Sequence, residues 1–280
     1  MITDVLGYAG KRVVVTGAAS GMGEATARAL VDLGAEVIGL DVATIDAPLA
    51  AKLHLDLRDQ ASIDAAVAAV EGPVHAVFSV AGVPGPPFSD VDVLLVNFVG
   101  ARHLIESLVP AMPAGSAVAC VASIGGIGWQ MELADLLPLV QTPDFETGKA
   151  WLEANPEAIA SSYMFSKKVL NAWVAWRAAT LLPESGIRLN CTNPGPTETG
   201  MMPAFEALHG AAQVDMLLGP GRRRSTSEEQ AWPLIFLNSP RCSYVTGEAL
   251  QTDAGFLGAV ITGQLDVPLP SEAAAAASGS

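Results

Sequence analysis

The run "RVVVTGAASGMGEATARAL", residues 12–30, constrains the fold more than any other stretch of the chain. "RVVV" reads as a strand buried on both faces. The turn that follows, Thr16 to Gly23, carries glycines at 17, 21 and 23. Met22, Ala25, Ala29, Leu30 and Leu33 then recur at the helical period, and Gly34 stops the helix. A strand entering a glycine-rich turn that opens a helix is the context in which such glycines bind a dinucleotide. Gly17 permits the tight turn. Gly21 and Gly23 let a pyrophosphate approach the backbone and let the helix pack on the sheet. The helix N-terminus then offers free amides and the positive end of its dipole.

The same rhythm continues. "EVIGL" (36–40), "KLHLD" (52–56), "VHAVFSV" (74–80), "SAVACVAS" (116–123) and "IRLNCT" (187–192) read as strands, with helical patterns between them. Strand–helix alternation to about residue 192 predicts an α/β, single-domain Rossmann fold. It is a doubly wound parallel sheet with helices on both faces. One domain covers 1–265, and the low-complexity "SEAAAAASGS" places 266–280 in a disordered tail outside the fold. Asp41 closes the second strand, about 20 residues beyond the turn. An acid there accepts hydrogen bonds from both ribose hydroxyls of an adenosine and repels a 2′-phosphate, which selects NAD over NADP.

Composition narrows the partners. The net charge of −14 disfavours nucleic acid, whose phosphates want Lys/Arg surfaces. The one basic run, Arg222 to Arg224, reads as a solvated turn before a helix, with a phosphate contact as the alternative. Cys120, Cys191 and Cys242 form no disulfide framework, and the first two sit in apolar runs. A reducing cytoplasm fits. No Cys/His cluster has metal-site spacing. No stretch reads as a signal peptide or a membrane span.

"SSYMFSKKVL", 161–170, puts Tyr163 and Lys167 four apart on a predicted helix, one turn apart on one face. A cation beside a phenol favours phenolate and brings the proton closer to exchange at working pH. Taken alone the pair is common.

With the motifs in order, the sequence resembles the short-chain dehydrogenase/reductase family from about residue 10 to 258. The carriers are "TGAASGMG" (16–23), Asp56 in "LDL", "SVAG" (79–82), "VNFVG" with Asn97, Ser123 at the end of the fifth strand, Tyr163 and Lys167, "NPGPTET" (193–199) and "YVTGEALQTDAG" (244–255). Ser79 and Val80 stand where two Asn are usual, and Ala254 where a Gly is usual. The resemblance implies that Tyr163 is the acid/base at the substrate oxygen. Lys167 lowers its pKa and holds the nicotinamide ribose, Ser123 holds the substrate oxygen, and Asn97 holds a water beside Lys167. It implies cofactor contacts from Gly17, Ser20, Gly21, Met22, Gly23, Asp41, Asp56, Leu57, Ala81, Gly82, Tyr163, Lys167, Pro194, Gly195, Thr197 and Thr199. It also implies NAD as cofactor and association into dimers or tetramers through helices at roughly 90–111 and 161–182.

Between Ser123 and Tyr163 lie residues 124–160, far longer than the family's usual connection. "WQMELADLLPLV" and "DFETGKAWLEAN" have helical spacing, so a helical insertion is expected there. A long insertion at this point is similar to the 3α-hydroxysteroid dehydrogenase/carbonyl reductase subgroup. Its apolar residues must be buried, over the substrate cleft or against a neighbouring subunit. The Met- and Leu-rich segment 200–221 follows "NPGPTET", where the family covers its substrate. The implied substrate is a hydrophobic alcohol or ketone, steroid-like or cyclic. A small ketone, an aldehyde or a terpenoid alcohol is the alternative, and a non-catalytic NAD-binding regulator the third reading.

Overall fold

The computed structural model describes residues 4–265; the expected disordered tail, 266–280, lies outside the described residues. Seven parallel strands form one sheet in the order β3-β2-β1-β4-β5-β6-β7. They are β1 (Arg12–Thr16), β2 (Glu36–Asp41), β3 (Ala51–His54), β4 (Ala76–Ser79), β5 (Ala117–Val121), β6 (Arg188–Pro194) and β7 (Ala249–Thr252). Around them lie α1 (Gly21–Asp32), α2 (Gln60–Ala69), α3 (Asp90–Leu94), α4 (Gly100–Leu108), α5 (Leu133–Val140), α6 (Phe145–Ala154), α7 (Ser162–Ser185), α8 (Met202–His209), α9 (Ala211–Met216), α10 (Ser227–Asn238) and α11 (Phe256–Ile261). The predicted doubly wound sheet is the fold.

Alternation along β1 shows why both faces carry helices. Val13 and Val15 pack in one core with Leu30 of α1 and Leu234 of α10. Val14 faces the other core, with Leu104 of α4 and Val169 and Trp173 of α7. The strand order reverses between β1 and β4, so the turns leaving these two neighbours diverge and open a crevice at their carboxyl ends. α1 stops as predicted. Gly34, at φ +81°, donates to Val31 O while Ala35 donates to Leu30 O, which satisfies the last carbonyls of the helix.

α3 and α4 are one rod, Asp90–Ala111, joined by a π-helical turn over Leu95–Val99. The rod is long and apolar enough to cross a membrane, but 67% of its most apolar window is packed inside the protein. It is a core helix.

The insertion is helical, as expected, and part of its apolar surface is buried in the chain's own core. Leu136, Leu139, Val140, Phe145 and Leu152 are buried in the same core as α4 and α7 of their own chain. Arg102 on α4, itself 5% exposed, staples it. One amino group donates to the carbonyls of Leu139, Val140 and Thr142 and to Thr142 Oγ1, and the other donates to Asp144 O. Trp151 stacks on Phe165 of α7 at 6.2 Å, and Lys168 pairs with Glu132 at 2.5 Å. The apolar spacing of the insert was legible; that its partner would be the chain's own rod was not.

The Arg102 staple is testable. Arg102→Met keeps the stem and removes the guanidinium donor from the carbonyls of Val140 and Thr142, while Leu139 O and Asp144 O keep other donors; a carbonyl left unpaired costs about 1–3 kcal/mol. We expect a loss of at least about 2 kcal/mol in urea unfolding, with cleavage by protease appearing first within 128–155. Stability within about 0.5 kcal/mol of the parent would show that the staple is dispensable.

Candidate active site

The glycine-rich turn is built as a cradle. Gly17 has φ +70°, and a Cβ there would lie 3.0 Å from both Ala81 N and Ala81 Cα. Thr16 Oγ1 accepts hydrogen bonds from Val80 N and Ala81 N at 3.0 and 3.1 Å, tying the turn to the segment after β4. A Cβ on Gly23 would lie 2.0 Å from Gly17 O, so α1 sits directly on its own loop. Ser20 occupies the N-cap of α1, but its hydroxyl caps none of the first-turn amides. Those amides are left for an anion, as a pyrophosphate requires. Thr199 Cγ2 lies 3.5 Å from where a Gly21 Cβ would be, so the segment after β6 closes the loop from above. The residues present fit a dinucleotide.

Asp41 does more than cap a strand. Its two carboxylate oxygens accept from Ala19 N and Ala43 N, each at 2.9 Å. It therefore locks the loop and still keeps lone pairs for ribose hydroxyls. Asp56 is held by Arg58, whose Nε and Nη2 donate at 3.0 and 2.7 Å while Arg58 N donates to the same carboxylate. The Arg58 guanidinium holds this carboxyl below its ordinary range. About one lone pair of four remains for an adenine amine. Leu57 is buried, and its carbonyl lies against Gly100, where a Cβ would come within 2.0 Å. Thr197 is also taken up internally, bonding to Gly195 O and Ser225 Oγ at 2.9 Å each. Gly195 packs under Asp253 and Pro194 ends β6.

Ser123, Tyr163 and Lys167 converge above the ends of β5 and β6. Asn193 Oδ1 accepts from Ser123 N at 3.3 Å, and Gly125 N donates to Ser123 Oγ at 3.0 Å. With that acceptor role filled, the Ser123 hydroxyl proton is available to the Tyr163 oxygen, and its influence favours the ionised phenol. Lys167 Nζ lies 5.6 Å from the centre of the Tyr163 ring and donates to Val121 O at 2.9 Å. In this geometry burial dominates and holds the phenol above its ordinary pKa, while the Ser123 bond pulls it part of the way down. The Lys167 ammonium, beside the ring, donates to Val121 O. Burial also pushes Lys167 down to about 8, so it still carries its charge at neutral pH.

Asn97 lies in the π-helical turn, an arrangement often found at functional sites. Its Oδ1 accepts from Val83 N at 2.8 Å, and its Nδ2 donates to Val83 O and Ser166 Oγ. A Cβ on Gly82 would be 3.2 Å from Asn97 Oδ1 and 3.6 Å from Lys167 Nζ, so Asn97 and Lys167 flank the same glycine. The side chain clamps the loop after β4 and keeps one lone pair on Oδ1 toward this space.

Several contributors carry no sequence signal. Phe205 of α8 packs at right angles to Tyr163, 4.7 Å between ring centres. Asn171, one turn past Lys167, donates to Gly126 O at 3.3 Å and accepts from Cys191 Sγ, which fixes the turn after Ser123. Arg224 meets Glu198, Glu206 and Asp215, and Arg223 pairs with Glu229, so two of the three arginines of the basic run are engaged in ion pairs.

Two family models match this chain, one described as short chain dehydrogenase over residues 11–133 and one as enoyl-(acyl carrier protein) reductase over 153–257. The chain is 29% identical over 245 residues to coniferyl-alcohol dehydrogenase of Pseudomonas sp., covering 88% of this chain and 96% of that one. It is 29% identical over 249 residues to 3-alpha-hydroxysteroid dehydrogenase/carbonyl reductase of Comamonas testosteroni, covering 87% and 95%. The structure resembles 3-alpha-hydroxysteroid dehydrogenase from Pseudomonas sp. B-0831 complexed with NADH, with TM-score 0.76 and 25% identity over 91% of this chain and 99% of that one.

The buried ammonium sets a pH signature. Below about pH 8 Lys167 is charged in both folded and unfolded chains, and its burial costs in full. Between about 8 and 10.5 the folded chain has released a proton that the unfolded chain still holds, so this cost fades as pH rises. Urea unfolding of the protein and of Lys167→Met from pH 7.5 to 10 reads the difference. The gap should move toward the parent by about 1–3 kcal/mol. A gap that is flat with pH would show that the ammonium is solvated.

Proposed function

The chain belongs to the short-chain dehydrogenase/reductase family, and from that premise we propose that it is an NAD(H)-dependent oxidoreductase interconverting a secondary alcohol and a ketone, with Tyr163 as the acid/base. The observation that carries the reading is the buried trio of Ser123, Tyr163 and Lys167, with Lys167 Nζ 5.6 Å from the centre of the phenol ring and bonded to Val121 O at the end of β5. A bound nicotinamide supplies or takes up the hydride at the reacting carbon. Ser123 holds the substrate oxygen against the phenol. In the reducing direction Tyr163 gives its proton to that oxygen; in the oxidising direction it takes one. Lys167 steadies the phenolate and holds ribose hydroxyls once a nucleotide draws it from Val121. Asn97 and Lys167 enclose a water on the path by which the proton returns to solvent.

Gly17, Ser20, Gly21, Met22 and Gly23 would hold the pyrophosphate of the cofactor. Asp41 holds the adenosine ribose, Asp56 the adenine, and Ala81, Gly82, Pro194, Gly195 and Thr199 border the nicotinamide side. Leu57 and Thr197, being packed internally, shape this site from behind. Asp41, free of any cationic partner among the described residues, supports NAD over NADP. The relatives named for coniferyl alcohol and 3α-hydroxysteroids support a hydrophobic, cyclic alcohol or ketone as substrate. The free thiols Cys120, Cys191 and Cys242 support action in the cytoplasm, and a homodimer or homotetramer is the assembly we expect.

Two substitutions decide this reading. Tyr163→Phe keeps the ring and removes the proton; turnover should fall at least about 100-fold while NADH affinity, read by fluorescence, stays put. Because burial holds the phenol up, oxidation of alcohols by the parent should accelerate with rising pH. Turnover within about fivefold of the parent would remove Tyr163 from the chemistry.

Asp41→Ala removes the charge facing a 2′-phosphate, and also the tie to Ala19. Efficiency with NAD should drop and that with NADP should rise. An unchanged ratio of the two kcat/KM values would leave Asp41 as a loop lock alone.

A further inference from the structure

α8 packs against Tyr163 on one side and against the loop after β4 on the other. Phe205 meets Tyr163 with ring planes at 76° and centres 4.7 Å apart. One turn on, Leu208 Cδ2 lies 3.9 Å from where a Cβ on Gly85 would be, against the loop after β4. The helix is moored from outside. Arg224, with a side chain 19% exposed, pairs with Glu206 at 2.5 Å and stands 3.6 Å from Asp215 of α9 and 3.7 Å from Glu198. Glu206 adjoins Phe205, so the same pair that holds α8 holds the aromatic ring beside the phenol.

A substrate oxygen that reaches Ser123 and Tyr163 brings its substituents under Phe205. The aromatic pair must then open, and what replaces it is contact between Phe205 and the substrate. Edge-to-face and offset-stacked rings gain about 0.5–1.5 kcal/mol beyond buried area. A flat π-system on the reacting carbon recovers that gain, and a saturated group of the same size does not. We propose that Phe205 is a specificity-determining residue of this site and that it selects alcohols and ketones bearing an aromatic ring on the reacting carbon over saturated ones of equal bulk. This deepens the function proposed above and rests on it.

The matched pair 1-phenylethanol and 1-cyclohexylethanol differs in the π-system and little in shape. The quantity read is the phenyl-to-cyclohexyl ratio of kcat/KM in the parent, divided by the same ratio in Phe205→Leu. The division cancels the intrinsic reactivity of a benzylic alcohol. At about 1.4 kcal/mol per tenfold, the aromatic gain corresponds to a double ratio of about 2 to 12. Phe205→Tyr should keep the parental ratio, and NADH affinity should be the same in all three proteins. A double ratio of one, or a Tyr variant that behaves like Leu, overturns the proposal. Binding of the two corresponding methyl ketones to the NADH-loaded protein, followed by nucleotide fluorescence, reads the same double ratio without turnover. A protein inactive on both alcohols would sink the proposed activity, and the binding ratio would still decide Phe205.

Discussion

Everything in the site hangs on how closely α1 can sit on the turn that precedes it. A Cβ on Gly23 would come within 2.0 Å of Gly17 O, and one on Gly17 would press on Ala81. Only glycine at both positions lets the first turn of α1, the end of β1 and the segment after β4 come this close. That approach gathers uncapped amides at the helix start and ties them through Thr16 to Val80 and Ala81. The Ser79–Val80 replacement of the usual Asn pair is tolerated because these contacts use backbone amides. They need no side chain there beyond a fit to the core.

The second constraint is the burial of Lys167. Desolvation works against a buried ammonium, and the fold answers with one carbonyl, Val121 O. The ammonium also lies beside the Tyr163 ring, 5.6 Å from its centre. The same burial lifts the Tyr163 phenol, so one apolar environment acts on both groups in opposite senses. Bringing a negatively charged nucleotide close would favour the ammonium and compensate its cost. This is how an unstable arrangement in the protein alone becomes a useful one in the complex.

What could be read from the sequence follows from the range of the interaction. The turn at Gly17–Gly23, the Schellman stop at Gly34 and the Tyr163–Lys167 pair are decided within one or two turns of chain, and local spacing reveals them. Asp41 was legible as an acid at a strand end, but its locking of Ala19 depends on where β2 lies beside β1. Phe205, Asn171 and Arg224 act through partners roughly 20 to 40 or more residues away in most cases, and no local pattern marks them. That burial outweighs every other influence on the Tyr163 phenol was hidden for the same reason. The i,i+4 rule brings the ammonium near the ring, and only the fold decides that Val121 O accepts its hydrogen bond.

The insertion shows how an amphipathic pattern fixes burial without naming a partner. Its leucines had to leave water at about 25 cal/mol per Å² of apolar surface, and three surfaces were on offer: cleft, neighbour or own core. The buried guanidinium of Arg102 tips the choice, because the loop carbonyls at 139–144 satisfy it and it satisfies them. The consequence reaches beyond the monomer. The resemblance implies association through the rod at 90–111 and the helix at 161–182, and α5 and α6 now cover part of that pair. What stays open is the far half of α7, where Trp176 and Leu182 are exposed and Arg177 bridges Glu106 and Glu184. Pairing along the full rods would have to strip away Leu136, Leu139 and Phe145 together with the Arg102 bonds. The insert thus leaves only the far half of α7, with exposed Trp176 and Leu182, as an open stretch of that helix.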